Sequence, residues 1–190
     1  VTLATSFSDY PVDSLPAILL GPDWTDNLCW HNDACPVFVH VPTGIAVWAQ
    51  YPDDAMRDCP GGDRFAVVQL VQGDHGWEHD LDNTDTSLVE IDDADTLTRA
   101  LPHYMGDGFA RFQATGRDHA DLGVPTSDEG LDGIPGRTYC GTLYLTQNAD
   151  QWHCIIGNCE WSGTLVDMER RLFRFAVTEG YMDDLAQVAA

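Results

Sequence analysis

The sequence contains no lysine. All nine of its basic residues are arginines, set against 31 Asp and Glu in 190 residues, for a net charge of −22 at pH 7. That scarcity of cations excludes the basic footprint with which proteins bind DNA, RNA or anionic membranes directly. It also excludes a phosphate-cradling Gly-rich loop with its lysine. No run approaches the roughly 18 apolar residues of a membrane-spanning helix. The first ten residues, VTLATSFSDY, have no basic segment and no apolar core, so no signal peptide is expected and a cytoplasmic protein is. Its 44% hydrophobic content is ordinary for a folded protein, so the acidity is not that of a disordered tail. Arginine without lysine fits the codon bias of a GC-rich genome. A halophile would also be acidic and lysine-poor, but six Cys and six Trp fit that origin less well.

What is present is most unusual between Asp74 and Asp95, DHGWEHDLDNTDTSLVEIDDAD, which holds nine carboxylates and no Arg. Glu78, Asp80 and Asp82 alternate with His79 and Leu81. On a strand they would share one face at about 6.6 Å spacing, from a rise of about 3.3 Å per residue. That spacing approximates successive phosphates along a nucleic-acid strand.

Alternation and turn chemistry predict an α+β fold, with antiparallel sheet built from hairpins and a helix after each sheet unit. Residues 15–20 read as an extended arm, and 21–36 as a loop pinned by Trp24 and Trp30. Residues 35–51 read as a hairpin around Pro42-Thr43-Gly44, residues 64–71 as a central strand, and Ser87–Ile91 as another. Asp93 is placed to cap a helix from Ala94 to about Leu101. Residues 103–115 fit either a short helix or a strand. The Gly-, Pro- and Asp-rich residues 116–136 read as a linker or long loop between an N-terminal unit, 1–115, and a C-terminal ββα unit, 137–190. In that second unit 137–146 reads as one strand and 151–156 as its hairpin partner, ended by Gly157-Asn158. A helix follows over 165–179, capped by Thr164, striped by Leu165, Met168, Leu172 and Phe175, and closed by Gly180. Arg170, Arg171 and Arg174 fall on its outer side, and a short terminal helix over 183–188 is expected.

The catalytic and metal motifs are missing. Cys29, His31, Cys35 and Cys59 offer ligands without the paired short Cys spacing of structural zinc. His75 and His79 lie four apart, but Gly76 stands where the zinc-protease arrangement needs Glu. Counting from Asp80, the sixth and twelfth positions are Asp85 and Ile91, not the Gly and Glu of an EF-hand. There is no Gly-x-Ser-x-Gly and no Gly-x-Gly-x-x-Gly. The six Cys are even in number, but the chain is long enough to form a core without disulfides, so reduced thiols are expected. No cofactor is expected, and the residues point away from an enzyme.

In size and charge the chain resembles the small acidic inhibitors that phages and plasmids direct against restriction enzymes and CRISPR effectors. No motif is shared with a named family, and the tract Asp23–Pro36 has no interpretation. The expected function is that of a nucleic-acid mimic, binding a basic protein or nucleoprotein complex and neither nucleic acid nor membrane. Its working residues would be Glu78, Asp80, Asp82, Asp85, Glu90, Asp92, Asp93 and Asp95. Two alternatives stand beside it: a small metal-binding protein or enzyme built on Cys29, His31 and Cys35, and a structural or assembly protein whose acidity only solvates it.

Overall fold

A computed structural model describes residues 7–26, 34–74, 76–78, 87–121, 136–140, 143–148 and 150–182. The fold is α+β: antiparallel sheets with three helices among the described residues. The chain divides into two compact units, Val1–Leu101 and Pro102–Ala190.

The first unit is a five-stranded antiparallel sheet of β1 (Trp24–Thr25), β2 (Val37–His40), β3 (Ile45–Ala49), β4 (Phe65–Gln69) and β7 (Ser87–Ile91), in the order β1-β2-β3-β4-β7. The expected hairpin over 35–51 is present, with Val37 opposite Trp48 and His40 opposite Ile45. Phe38, Val47, Val67 and Val89 form a cross-strand row, each almost fully buried. Each such side chain contributes about 1.5–3 kcal/mol of burial. The opposite face holds Val37, Val39, Ala46, Val68 and Leu70, with Trp48 and Trp77 packed on it. With both faces covered, β4 reads in sequence as a nearly continuous apolar run, as expected for a strand inside the sheet.

The N-terminal segment differs from the extended arm that was expected. Val12–Ser14 and Ala17–Leu20 are short 3₁₀ turns, and Leu15 and Leu19 are buried. Arg64 fastens the segment by donating to the Ser14 carbonyl (2.9 Å) and hydroxyl (2.6 Å). The Tyr10 hydroxyl donates to the Gln50 carbonyl at 3.0 Å. Of the loop expected over 21–36, Trp24–Thr25 is instead an edge strand.

Beyond Leu70 the chain leaves the large sheet and forms a separate hairpin, β5 (Val71–Gly73) and β6 (Gly76–Glu78). This ends the predicted strand 64–71 two residues early. Helix α1 (Ala94–Met105) begins where predicted but runs four residues past Leu101, through Pro102. Leu97 and Leu101 are buried, as their spacing requires.

In the second unit, α2 (Gly108–Asp121) takes up most of the stretch that fitted either state, and continues into 116–121, where a linker was expected. Residues 122–135 lie outside the described residues, as does the predicted helix 183–188. The predicted strand 137–146 is two strands, β8 (Gly136–Tyr139) and β9 (Leu143–Asn148), antiparallel to each other. The break follows Tyr139, at Cys140, whose φ is 54°. Strand β10 (Gln151–Ile156) pairs with β9 as predicted. It also pairs with a strand the sequence reading missed, β11 (Cys159–Gly163). Gly157-Asn158, read as a terminator, is their two-residue turn, with Gly157 at φ 59° as a type II′ turn requires.

Helix α3 (Leu165–Thr178) has the predicted cap: the Asp167 N–H donates to the Thr164 hydroxyl at 3.2 Å. Gly180 closes it at φ 83°. Its buried side is wider than the predicted stripe and includes Glu169, Phe173, Ala176 and Val177, whereas Leu165 and Phe175 are only half-buried. Phe112 of α2 stacks on Tyr139 of β8 at 4.4 Å and 11°, and Phe173 of α3 meets Phe112 edge-on at 5.7 Å. Arg170 and Arg171 are exposed, and Arg171 lies over the Trp161 ring at 5.4 Å.

Candidate partner-binding surface

Two groups of acidic residues in the first unit lie where β7 turns into α1 and where β3 turns into β4. At the first turn Asp93 is the helix cap. Its Oδ1 accepts from the Thr96 N–H at 2.7 Å. That bond, together with the Thr96 side chain, holds the Asp93 carboxyl below its usual range. Asp95 follows in the first helical turn, where a carboxylate meets the positive end of the helix dipole.

At the second turn the loop 51–63 is closed by its own polar groups. Asp53 accepts from the Ala55 N–H at 3.1 Å, starting the short turn Asp54–Met56. Asp54 accepts across the loop from the Gly61 N–H at 2.7 Å. The Gln50 side chain accepts from the Asp58 N–H at 3.2 Å. Arg57 organises the loop: it donates to the carbonyls of Tyr51 and Gly62, and its side chain is only 10% exposed. The same guanidinium lies 3.1 Å from Asp92 and 3.7 Å from Asp54. One mostly buried cation therefore joins the loop acids to the acids at the end of β7.

Sequence reasoning did not include Asp53, Asp54, Asp58 and Asp63 in the site. The available signal was a lone Arg among four acids in a twelve-residue loop, Pro52 to Asp63. In this loop the lone cation marks the place where two carboxylates converge, Asp54 and Asp92.

The structure brings together Glu90, Asp92, Asp93 and Asp95 at one end of β7, all exposed. Glu78 is placed elsewhere. Asp92 follows Ile91, which pairs with Phe65 at the start of β4, whereas Glu78 pairs with Val71, beyond the end of β4. From Phe65 to Gln69 strand β4 spans four residue steps, about 13 Å at 3.3 Å per residue. Glu78 is exposed on its hairpin. Asp80, Asp82 and Asp85 lie outside the described residues, and so do His75 and His79.

Among the described residues no group of three or more His, Cys, Asp or Glu is arranged to hold a metal ion. Cys29 and His31 lie outside them, Cys35 is buried and Cys59 is exposed. Burial pushes the Cys154 thiol up to about 11, with Arg171 opposing, so this sulfur is not an activated nucleophile. No helix of the described residues is long and apolar enough to cross a membrane.

No protein family, curated protein or solved structure matches the chain.

Proposed function

We propose that the protein is a non-enzymatic acidic inhibitor of the antirestriction or anti-CRISPR kind, binding a basic nucleic-acid-binding protein or nucleoprotein complex. The observation that carries this reading is where the charge sits. Every carboxylate whose side chain is described is exposed, except Asp26 and Glu169. A net charge of −22, with the described carboxylates displayed outward, produces a large negative field. A groove built to hold nucleic acid is its electrostatic complement.

Within that reading the partner meets first the corner where Arg57 joins the loop 51–63 to β7 and α1. Asp53, Asp54, Asp92 and Asp93 are engaged in local structure there, which fixes the corner's shape. Asp58, Asp63, Glu90 and Asp95 present exposed carboxylates around it. Pre-arranged charge costs less ordering on binding than charge on loose side chains.

The test is capture of a partner from host lysate on immobilised protein, followed by competition with duplex and single-stranded DNA. The expected outcome is a nucleic-acid-handling protein that is retained at low salt, released at high salt and displaced by nucleic acid. Retention that ignores salt and nucleic acid would contradict the proposal.

A further inference from the structure

Strand β11 forms one edge of the second unit's sheet, whose order is β11-β10-β9-β8, and no described strand pairs with its outer side. Its ladder with β10 runs without a bulge from the pair Ile156–Cys159 to the pair Trp152–Gly163. A two-residue turn joins the two strands, so the pair that flanks it, Ile156 and Cys159, exchanges backbone hydrogen bonds. Such pairs alternate along an antiparallel ladder. Cys159, Trp161 and Gly163 therefore bond to β10, and the N–H and C=O groups of Glu160 and Ser162 point away from it. Both residues are exposed, and none of these four groups has a backbone partner among the described residues. An edge strand with neither proline nor bulge is a template for another strand.

The side chains around this edge select what is added. Cys154, opposite Trp161, is buried, and Arg171 of α3 lies 5.4 Å from the centre of the Trp161 ring, so this face of β11 is the one turned to the helix. Arg170 and Arg171 are both exposed, and neither is paired with a carboxylate among the described residues, on a chain that carries 31 Asp and Glu. Asp167, one turn earlier on α3, accepts from the Thr164 hydroxyl instead. Glu160 projects from the opposite face of the sheet, where it lies 3.5 Å from His153 Nδ1. A strand added to this edge meets cations on its helix side. At physiological salt, exposed charges more than about 8 Å apart are largely screened, so these near neighbours outweigh the net charge of the chain.

We propose that the edge of β11 binds an extended acidic peptide segment of another protein, which joins the sheet as a further strand. Main-chain bonds to Glu160 and Ser162 hold the segment, and its carboxylates on the helix side meet Arg170 and Arg171. This site is independent of the acidic surface and of the function proposed for it.

The probes are capped peptides in which threonine alternates with glutamate, glutamine or lysine, titrated into the full chain at physiological salt while amide resonances are followed by NMR. The expected result with the glutamate peptide is saturable shifts over residues 159–163 and slowed hydrogen exchange at the Glu160 and Ser162 amides. The glutamine peptide should bind there about 5-fold more weakly, and the lysine peptide more weakly still. Replacing both arginines, Arg170→Gln with Arg171→Gln, should weaken the glutamate peptide about 5-fold and leave the glutamine peptide unchanged. Ser162→Pro removes an outward N–H without removing a bond to β10, and should weaken both peptides about 10-fold. If that variant fails to fold, the arginine comparison decides alone. No saturable shift up to the solubility limit would overturn the proposal. So would equal binding of the glutamate and lysine peptides at residues 159–163, or an arginine effect equal for the glutamate and glutamine peptides. Shifts at 159–163 that follow protein concentration without any peptide would overturn it as well, by placing a second copy of the chain at this edge.

Discussion

A carboxylate with no exposed surface needs donors, and Glu169 has three. Tyr139 donates to it at 2.8 Å, Gln113 at 2.6 Å, and Arg137 lies 3.5 Å away. These come from β8 and α2, so one side chain of α3 ties together three elements of the second unit. Glu169→Ala would leave those donors without their acceptor, and the expected loss is about 3 kcal/mol in urea unfolding of that unit. Tyr139→Phe keeps the stacking on Phe112 and removes one donor, so it should cost about 1–2 kcal/mol. Equal stabilities of wild type and Glu169→Ala would show that the network contributes nothing net. The sequence does carry a signal for Glu169: with Leu172, Phe173 and Ala176 it sits at i, i+3, i+4 and i+7, a core stripe. The apolar residues alone pointed instead to Leu165, Met168, Leu172 and Phe175, a stripe about one residue out of phase.

The phenols of the same unit set its behaviour in alkali. Burial raises Tyr104, and burial followed by the bond to Glu169 raises Tyr139, both above the usual value of 10. A tyrosine whose folded value is raised keeps its full contribution below pH 10. It loses that contribution as the pH climbs toward the folded value, because the unfolded chain releases the proton first. Melting temperature should therefore hold up to about pH 10 and fall beyond it. Tyr104→Phe should flatten that fall, as read from thermal melts across the alkaline range. Asp93 acts in the opposite direction. Its lowered carboxyl contributes above pH 3.8 and loses that contribution as the pH falls through the folded value. Asp93→Ala should cost about 1 kcal/mol at neutral pH, as lost N-caps do.

At the scale of elements, glycines explain both what was legible and what was not. Gly44 ends the turn of the β2–β3 hairpin at φ 70°, and a Cβ there would lie 2.5 Å from the Trp77 ring. Trp77 also donates its indole N–H to the Val41 carbonyl at 2.8 Å, so the β5–β6 hairpin is seated on the β2–β3 turn. Gly44→Ala meets strain and collision together. It should lose about 2–3 kcal/mol and shift the Trp fluorescence as Trp77 is displaced. An unchanged melt and spectrum would mean that the seat is not as described. The turn role of Gly44 was readable from Pro-Thr-Gly between two apolar runs; its contact with Trp77 was not.

Gly116 misled the reading for a physical reason. It looks like the start of a loop, yet it lies inside α2, where a Cβ would come within 2.0 Å of the Tyr139 ring. Close approach of a helix to a strand calls for the same residue as a break does. The β8–β9 turn was hidden differently. Cys140 adopts a positive φ without being glycine, and Tyr139, Leu143 and Leu145 keep the same alternation on both sides of the turn. A period of two therefore runs through it undisturbed. Strand β11, CEWSG, offers one aromatic and no β-branched residue, so little in its composition marks it as a strand.

At the scale of the molecule, the acidic stretch that is continuous in sequence is divided in space. Glu78 lies beyond one end of β4 and Asp92–Asp95 near the other, while the loop 51–63, distant in sequence, joins the latter through Arg57. Charge counting along a chain cannot see this, because an antiparallel hairpin carries neighbours in sequence to opposite ends of a strand. The α+β class, the first hairpin and the third helix were legible from local period and caps. The convergence of carboxylates depends on strand register, which no local pattern records.

The most direct test of the acidic-surface account compares two variants of equal charge in binding to the captured partner. One replaces Asp58, Glu90 and Asp95 at the Arg57 corner with Ala. The other replaces Asp150, Glu160 and Glu179, exposed acids of the second unit, in the same way. Both should stay folded, since exposed substitutions of this kind usually change stability by less than about 0.5 kcal/mol each. Association rates measured across a salt series should fall for the corner variant and lose part of their salt dependence. The second-unit variant should stay close to wild type. Equal loss in both would reduce the surface to net charge alone, and no loss in either would leave the acidity as solvation and contradict the account.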